Sequence, residues 1–263
     1  KKYELNNSQL RILFKYSKKN KIKFLASCFD SESARNYLKI GGKVFKIPSG
    51  EINNLNLLEF IGKKNKEIFL STGLSTEKEI KNALNHLTKN GTKKKKICIM
   101  QCTTDYPCNL NDVNLLVIPM LSKKFKTKVG FSDHTLGYES AIAAAGMGAE
   151  VIEKHITLNK NMPGPDHKAS LNPKEFKNYV TFIRNIEMAL GKSKKKPTKS
   201  ELKNLKLVRK SIVAKKDITK GDIFNFNNII AKRPAGGISP MKINTIIGKK
   251  AKKNFKIDEK ISI

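Results

Sequence analysis

The chain has no run of 18 apolar residues, which excludes a membrane-spanning helix, and no charged-then-apolar opening of the kind a secretory signal needs. It has only four cysteines, Cys28, Cys98, Cys102 and Cys108, and no two stand in a CxxC pair. Three of them fall in or beside apolar strand-like runs, so they read as reduced, packed thiols of a cytoplasmic protein. Arginine is scarce too: of 53 basic residues only Arg11, Arg35, Arg184, Arg209 and Arg233 are arginine. Acidic residues number 22, which leaves a formal charge of +31 carried almost wholly by lysine. Such a charge ordinarily points to nucleic acid, because phosphate neutralisation drives that binding. Here the lysine runs, Lys93 to Lys96 and Lys194 to Lys196, have no interleaved aromatics to stack on bases and no nucleic-acid module around them. No nucleic-acid partner is expected; a solvated lysine surface whose field steers a small polyanionic substrate is.

What is present is alternation. Strand-like apolar runs at Phe24 to Phe29, Val44 to Ile47, Glu67 to Ser71, Ile97 to Cys102, Val129 to Ser132 and Val151 to Ile156 are separated by segments of helical period. That order predicts a parallel sheet covered by helices. The clearest helix starts at Thr76, whose hydroxyl caps it while Glu79 completes the capping box; Ile80, Ala83, Leu84 and Leu87 form its apolar stripe and Gly91 ends it. A second starts at Asn172, with Pro173 in its first turn and Glu175 at its third position. Six strands are visible where a closed (β/α)8 TIM barrel needs eight, and the chain begins at Lys1, almost directly in an amphipathic stretch (Leu10, Leu13, Phe14). The expectation is a chain that lacks the first two barrel strands, roughly 60 to 80 residues at the usual repeat length. Residues 1 to 190 are read as the partial barrel and 191 to 206 as a linker, its first part lysine-rich and without periodicity and followed by a short helical piece, Ser200 to Leu207. Residues 207 to 263 form a small β-rich domain.

GFSDHT (Gly130 to Thr135), EKHIT (Glu153 to Thr157) and GPDHKAS (Gly164 to Ser170) carry the chemistry. His134 and His155 lie 21 residues apart, one βα repeat, each at the end of a strand-like run. In a parallel barrel these ends share one mouth, so two imidazoles can face one ion with Asp166 adding an oxygen. Spacing alone leaves open that both are satisfied structural histidines.

KIPSGE (Lys46 to Glu51), LSTG (Leu70 to Gly73), QCTTDYP (Gln101 to Pro107), GFSDHT, EKHIT, MPGPDHKAS (Met162 to Ser170) and RPAGGISP (Arg233 to Pro240) stand in the order found in the bacterial N-acetylneuraminate (sialic acid) synthases. The chain resembles that family from end to end. The resemblance implies a metal-dependent transferase that condenses phosphoenolpyruvate with open-chain N-acetylmannosamine, or a related acetamido sugar, and releases phosphate. It implies that His134 and His155 hold Mn2+ or Mg2+, with Asp166 as a candidate base near the metal's water or the sugar hydroxyls; its alternative is a loop-capping aspartate. Lys46, Ser49, Ser71, Thr104, Tyr106 and Ser132 match the phosphoenolpyruvate site, although threonine 104 replaces the asparagine often found there. Glu51 either faces the sugar or caps the following helix. The last domain resembles the antifreeze-like (SAF) module, which in the family reaches the partner subunit's mouth in a domain-swapped homodimer. Arg233 matches the arginine that contacts the sugar's N-acetyl group, a task suited to its rigid fork, or is a surface residue in a turn.

GPDHKAS and RPAGGISP look like the neuraminate and legionaminate branches; the pseudaminate branch usually lacks the histidine at position 167. The main expectation is N-acetylneuraminate synthesis, the alternative legionaminate synthesis from 2,4-diacetamido-2,4,6-trideoxymannose. A different phosphoenolpyruvate-dependent barrel aldolase is disfavoured by the SAF-like tail. A non-catalytic binder has no chemical need for Lys46, both histidines and Asp166 together. Without its first strands a barrel cannot close, so residues 1 to 263 alone are expected to be unstable or inactive.

Overall fold

The computed structural model describes residues 4–263, which divide into two units, the first ending at Gly191 and the second running Lys192–Ile263. The first unit opens with two helices, α1 (Asn7–Lys19) and α2 (Ser31–Lys39), and then alternates. β1 (Val44–Ile47) leads to α3 (Leu55–Gly62), β2 (Glu67–Ser71) to α4 (Glu77–Lys89), and β3 (Ile97–Cys102) to α5 (Val117–Phe125). β4 (Lys128–Asp133) leads to α6 (Glu139–Gly146), and β5 (Val151–Lys154) to α7 (Pro173–Leu190). The five strands pair in sequence order and all in parallel. Among the described residues this sheet is open, and no helix is long and apolar enough to cross a membrane.

Side-chain alternation sorts the strands into two faces. Phe45, Ile47, Ile68, Leu70, Ile97, Ile99, Val129 and Phe131 turn one way and pack on Tyr37, Leu57, Ile61, Ala83, Leu87, Ile118 and Leu121 of α2 to α5. Burying each large side chain is worth about 1.5–3 kcal/mol, so this layer fixes the register. Their neighbours, Lys46, Ser71, Cys102, Ser132 and Glu153, therefore share the opposite face, and the register sets Cys102 beside Ser132 and Ser132 beside Glu153.

The expected helix starts are found. Thr76 accepts from the Glu79 amide while the Glu79 carboxylate accepts from the Thr76 amide, and Ile80, Ala83, Leu84 and Leu87 are all buried. Asn172 and Glu175 form the same box ahead of α7, with Pro173 in its first turn. Two strand expectations are corrected. Phe24 to Phe29 forms no regular strand: only Ser27 bridges to Lys46, with the Cys28 amide donating to the Lys46 carbonyl. Phe24 instead packs its ring against Phe14 and Tyr37, which turns the segment toward the helix layer. The last strand ends at Lys154 rather than Ile156, because Ile156 leaves the ladder to pair with Leu171.

In the second unit the expected helical piece is found as α8 (Lys199–Val208), which begins at a Thr198–Glu201 capping box. β6 (Ser211–Ala214) and β7 (Ile229–Lys232) pair antiparallel over a core of Ile212, Ile218, Phe224, Ile246 and Phe255. The chain turns at Lys220 and Gly221, where Gly221 stands at φ +97°, a backbone region that favours glycine.

Candidate active site

The C-terminal ends of β1 to β5 carry the polar residues picked out above. Lys46, on the penultimate residue of β1, is 6% exposed, and its Nζ donates to both carboxylate oxygens of Glu153 at 2.5 and 2.6 Å. Ser132 donates to Glu153 Oε1 at 2.8 Å. Burial works to raise the Glu153 carboxyl, but the Lys46 charge and the bonds from Lys46 and Ser132 outweigh it and hold the group below its ordinary range.

His134 follows β4. A carbonyl only accepts, so the 2.7 Å contact with the Thr103 carbonyl places the imidazole proton on Nδ1. Nε2 is then the unprotonated nitrogen, 3.4 Å from Ser132 Oγ. Burial lowers the His134 pKa, and the nearby His155 adds to this against the Thr103 bond, which keeps the ring neutral as a metal ligand requires. The His134 and His155 rings lie 5.4 Å apart between centroids, and the Tyr106 ring rests 4.0 Å from that of His134 and 5.5 Å from that of His155. Burial pushes the Tyr106 hydroxyl up to about 12, so it stays protonated as a donor at neutral pH. Asp166, at φ +65°, brings Oδ2 to 3.9 Å from His155 Nδ1.

Lys46, Tyr106, Ser132, His134, His155 and Asp166 are thus brought together, Lys46 and Ser132 through Glu153 and the others around the two imidazoles. Beside them the Ser49 hydroxyl accepts from the Gly73 amide at 2.9 Å. Gly73 is needed there: a Cβ would lie 2.2 Å from Thr104 Oγ1 and 3.0 Å from Ser49 Oγ. The Ser71 hydroxyl is buried with no hydrogen-bond partner among the described residues. Glu51 stands apart. Its carboxylate accepts from Asn54, and it is Asn54 that caps α3 by accepting from the Leu57 amide. In the second unit, Arg233 donates through Nε to the Val208 carbonyl.

Two imidazoles and a carboxylate suit a divalent cation of borderline softness, with further positions left for oxygen ligands. Among the described residues no three His, Cys, Asp or Glu side chains are already gathered as a ready-made cluster, so the fit lies in donor type and in the facing of the two rings.

Sequence reasoning passed over Glu153, Asp133, Lys154 and Tyr179. Glu153 was within reach, since it lies two residues before His155 and alternation puts both on one face. Asp133, Lys154 and Tyr179 form a buried network: Asp133 Oδ2 lies 3.1 Å from Lys154 Nζ and accepts from the Tyr179 hydroxyl at 2.8 Å. Nothing near Tyr179 in the sequence announces that bond.

The model of the NeuB family matches residues 1–195 and that of the SAF domain residues 209–262. The chain is 52% identical over 260 residues to the N,N'-diacetyllegionaminic acid synthase of Campylobacter jejuni, covering 99% of this chain and 78% of that one. It is 38% identical to the Legionella pneumophila synthase of the same name, over 97% of this chain and 72% of that one. The crystal structure of N-acetylneuraminic acid (sialic acid) synthetase from Leptospira borgpetersenii in complex with citrate superposes with a TM-score of 0.72 at 33% identity, covering 76% of this chain and 70% of that one. The chain therefore belongs to the NeuB family of sialic-acid-type synthases, enzymes with a SAF domain, as its motifs led one to expect.

Proposed function

We propose that this protein condenses phosphoenolpyruvate with open-chain 2,4-diacetamido-2,4,6-trideoxymannose to give N,N'-diacetyllegionaminic acid and phosphate. The observation that carries the reading is the likeness to the two legionaminate synthases, one of them 52% identical across nearly the whole chain. It moves the preferred sugar away from N-acetylmannosamine, the main expectation from sequence, to the alternative.

In this reading a bond forms between C3 of phosphoenolpyruvate and the sugar's aldehyde carbon, water adds at C2, and the C2–O bond to phosphate breaks. His134 and His155, with Asp166 beside them, would hold a Mn2+ or Mg2+ whose contribution is Lewis-acid polarisation of the aldehyde. Lys46 supplies a buried positive charge for the substrate's carboxylate or phosphate, and the unpaired Ser71 hydroxyl, Ser49, the Gly73 amide, Thr104 and Tyr106 orient it. Ser132 holds Glu153 and borders His134 Nε2, which keeps a carboxylate within reach of the reacting centre. Asp166 is proposed as the base for the water. Glu51, held by Asn54, is proposed to face the sugar. Arg233 is proposed to contact an acetamido carbonyl at a partner subunit's mouth in a swapped homodimer of the cytoplasm.

The test is phosphate release by the full-length protein with Mn2+, phosphoenolpyruvate and either the diacetamido sugar or N-acetylmannosamine. The reading expects kcat/KM at least tenfold higher with the diacetamido sugar. A preference of that size for N-acetylmannosamine would restore the neuraminate reading, and no release with either would remove both.

A further inference from the structure

Asp133, Lys154 and Tyr179 hold one of the most buried polar groupings in the first unit. The side chains of Lys154 and Asp133 are 1% and 0% exposed, and Tyr179 is 2% exposed. An ion pair so deep is weak evidence for stability, because desolvation consumes most of the attraction, and its best-attested use is to fix geometry. Every acceptor position of the carboxylate is engaged. Oδ1 takes the Thr135 amide at 2.9 Å and the Thr135 hydroxyl at 2.7 Å; Oδ2 takes Lys154 and the Tyr179 hydroxyl. Lys154 also donates to the Thr135 carbonyl, and its Nζ lies 5.7 Å from the centre of the Tyr179 ring.

These contacts converge on one place. Thr135 is tied through its amide, its hydroxyl and its carbonyl, and Asp133 is tied through both oxygens, so the residues on either side of His134 are locked. The His134 carbonyl itself accepts from the Cys108 amide at 2.9 Å. On the neighbouring strand, Lys154 directly precedes His155. The pair thus bridges the last residue of β4 to the last residue of β5, at the point where each strand hands over to its histidine, and Tyr179 braces the bridge from α7. None of the three points into the cluster formed by Lys46, Glu153 and the two imidazoles.

We propose that Asp133, Lys154 and Tyr179 are positioning residues that clamp the ends of β4 and β5 and so set the distance and angle at which His134 and His155 face each other. The inference rests on the reading of those imidazoles as a divalent-cation site. Outer partners that orient metal ligands typically change affinity by 10 to 100-fold when removed, without touching the ion.

The experiment measures Mn2+ affinity of the full-length protein by the free-ion signal in electron paramagnetic resonance, alongside the melting temperature of the metal-free protein. Three variants are compared with wild type: Tyr179→Phe, which removes one hydrogen bond and keeps the ring; Lys154→Met; and Ile183→Val, a packing neighbour of Tyr179 with no polar contact. The clamp predicts a Kd raised about 3 to 10-fold in Tyr179→Phe and about 10 to 100-fold in Lys154→Met, with Ile183→Val unchanged even where its melting temperature falls as far as that of Tyr179→Phe. Should Lys154→Met fail to fold, Tyr179→Phe against Ile183→Val decides. A Kd in Tyr179→Phe and Lys154→Met within twofold of wild type overturns the clamp while leaving the cation site standing, and so does an equal rise in Ile183→Val. Absence of Mn2+ binding by wild type overturns the cation site, and the clamp with it.

Discussion

Replacing Lys46 by methionine isolates the interaction at the centre of the site. Methionine keeps most of the buried stem and removes the ammonium, so Glu153 loses both its short contacts and retains only Ser132. Breaking a buried ion pair on one side costs about 3–5 kcal/mol. Here the stranded carboxylate is 34% exposed and water screens it, which brings the expected loss to about 2 kcal/mol. The reverse variant, Glu153→Gln, strands an ammonium whose side chain is only 7% exposed and is expected to cost more, about 3 kcal/mol. With both changed no charge is left unpaired, so the double variant is expected to cost less than the sum, giving a coupling of about 2 kcal/mol or more. Urea denaturation of the four proteins at pH 7 measures it. The dependence on pH has a definite sign. Glu153 is held below its ordinary pKa, so its stabilisation is present above the unfolded carboxyl value near about 4.3 and is lost as pH falls through the lower folded value. In Lys46→Met burial acts without Lys46 to oppose it, so protonation relieves the variant, and the gap between wild type and variant narrows as the solution is acidified. A coupling below about 0.5 kcal/mol, or a gap that widens toward acid, would refute this account of the pair.

Three further outcomes are expected. Thr76→Ala removes half of the capping box of α4 and costs about 1 kcal/mol by urea denaturation; a change under about 0.3 kcal/mol contradicts the assignment of that cap. Leu70→Ala opens a cavity in the layer between β2 and the helices, where the side chain is fully buried, and lowers stability by about 3 kcal/mol, which a shift in thermal midpoint reads directly. Cys28 and Cys98 are pushed up to about 12 by burial, so in the folded protein at pH 8 neither reacts with a disulfide reagent before unfolding exposes it; rapid labelling of either refutes its burial.

How much was legible in the sequence depended on whether the deciding contacts were local. The helices at Thr76 and Asn172 were legible because a capping box and an apolar stripe lie within one or two turns. Four strands were legible because both faces are covered and the runs read as continuously apolar. Phe24 to Phe29 carries the same signal yet forms only one bridge, since ring contacts with Phe14 and Tyr37, a tertiary matter, decide its course. The mouth residues were legible only as motifs at strand ends; that Lys46 meets Glu153 across 107 residues depends on how the open sheet brings side chains of its two edge strands, β1 and β5, together. Tyr179, in a helix whose pattern looks wholly amphipathic, gave no sign of its bond to Asp133.

The measurement that bears most directly on the proposed chemistry is metal-dependent phosphate release by the full-length protein with phosphoenolpyruvate and the diacetamido sugar. It is taken before and after chelation and Mn2+ restoration, beside His134→Ala and His155→Ala. Release that stops on chelation, returns with Mn2+, and falls at least a thousandfold in both variants is the predicted result, on the order of the several kcal/mol a Lewis-acid metal contributes. Release that survives chelation, or that persists at near wild-type rates without either imidazole, would contradict the reading of His134 and His155 as the metal ligands of a phosphoenolpyruvate-condensing synthase.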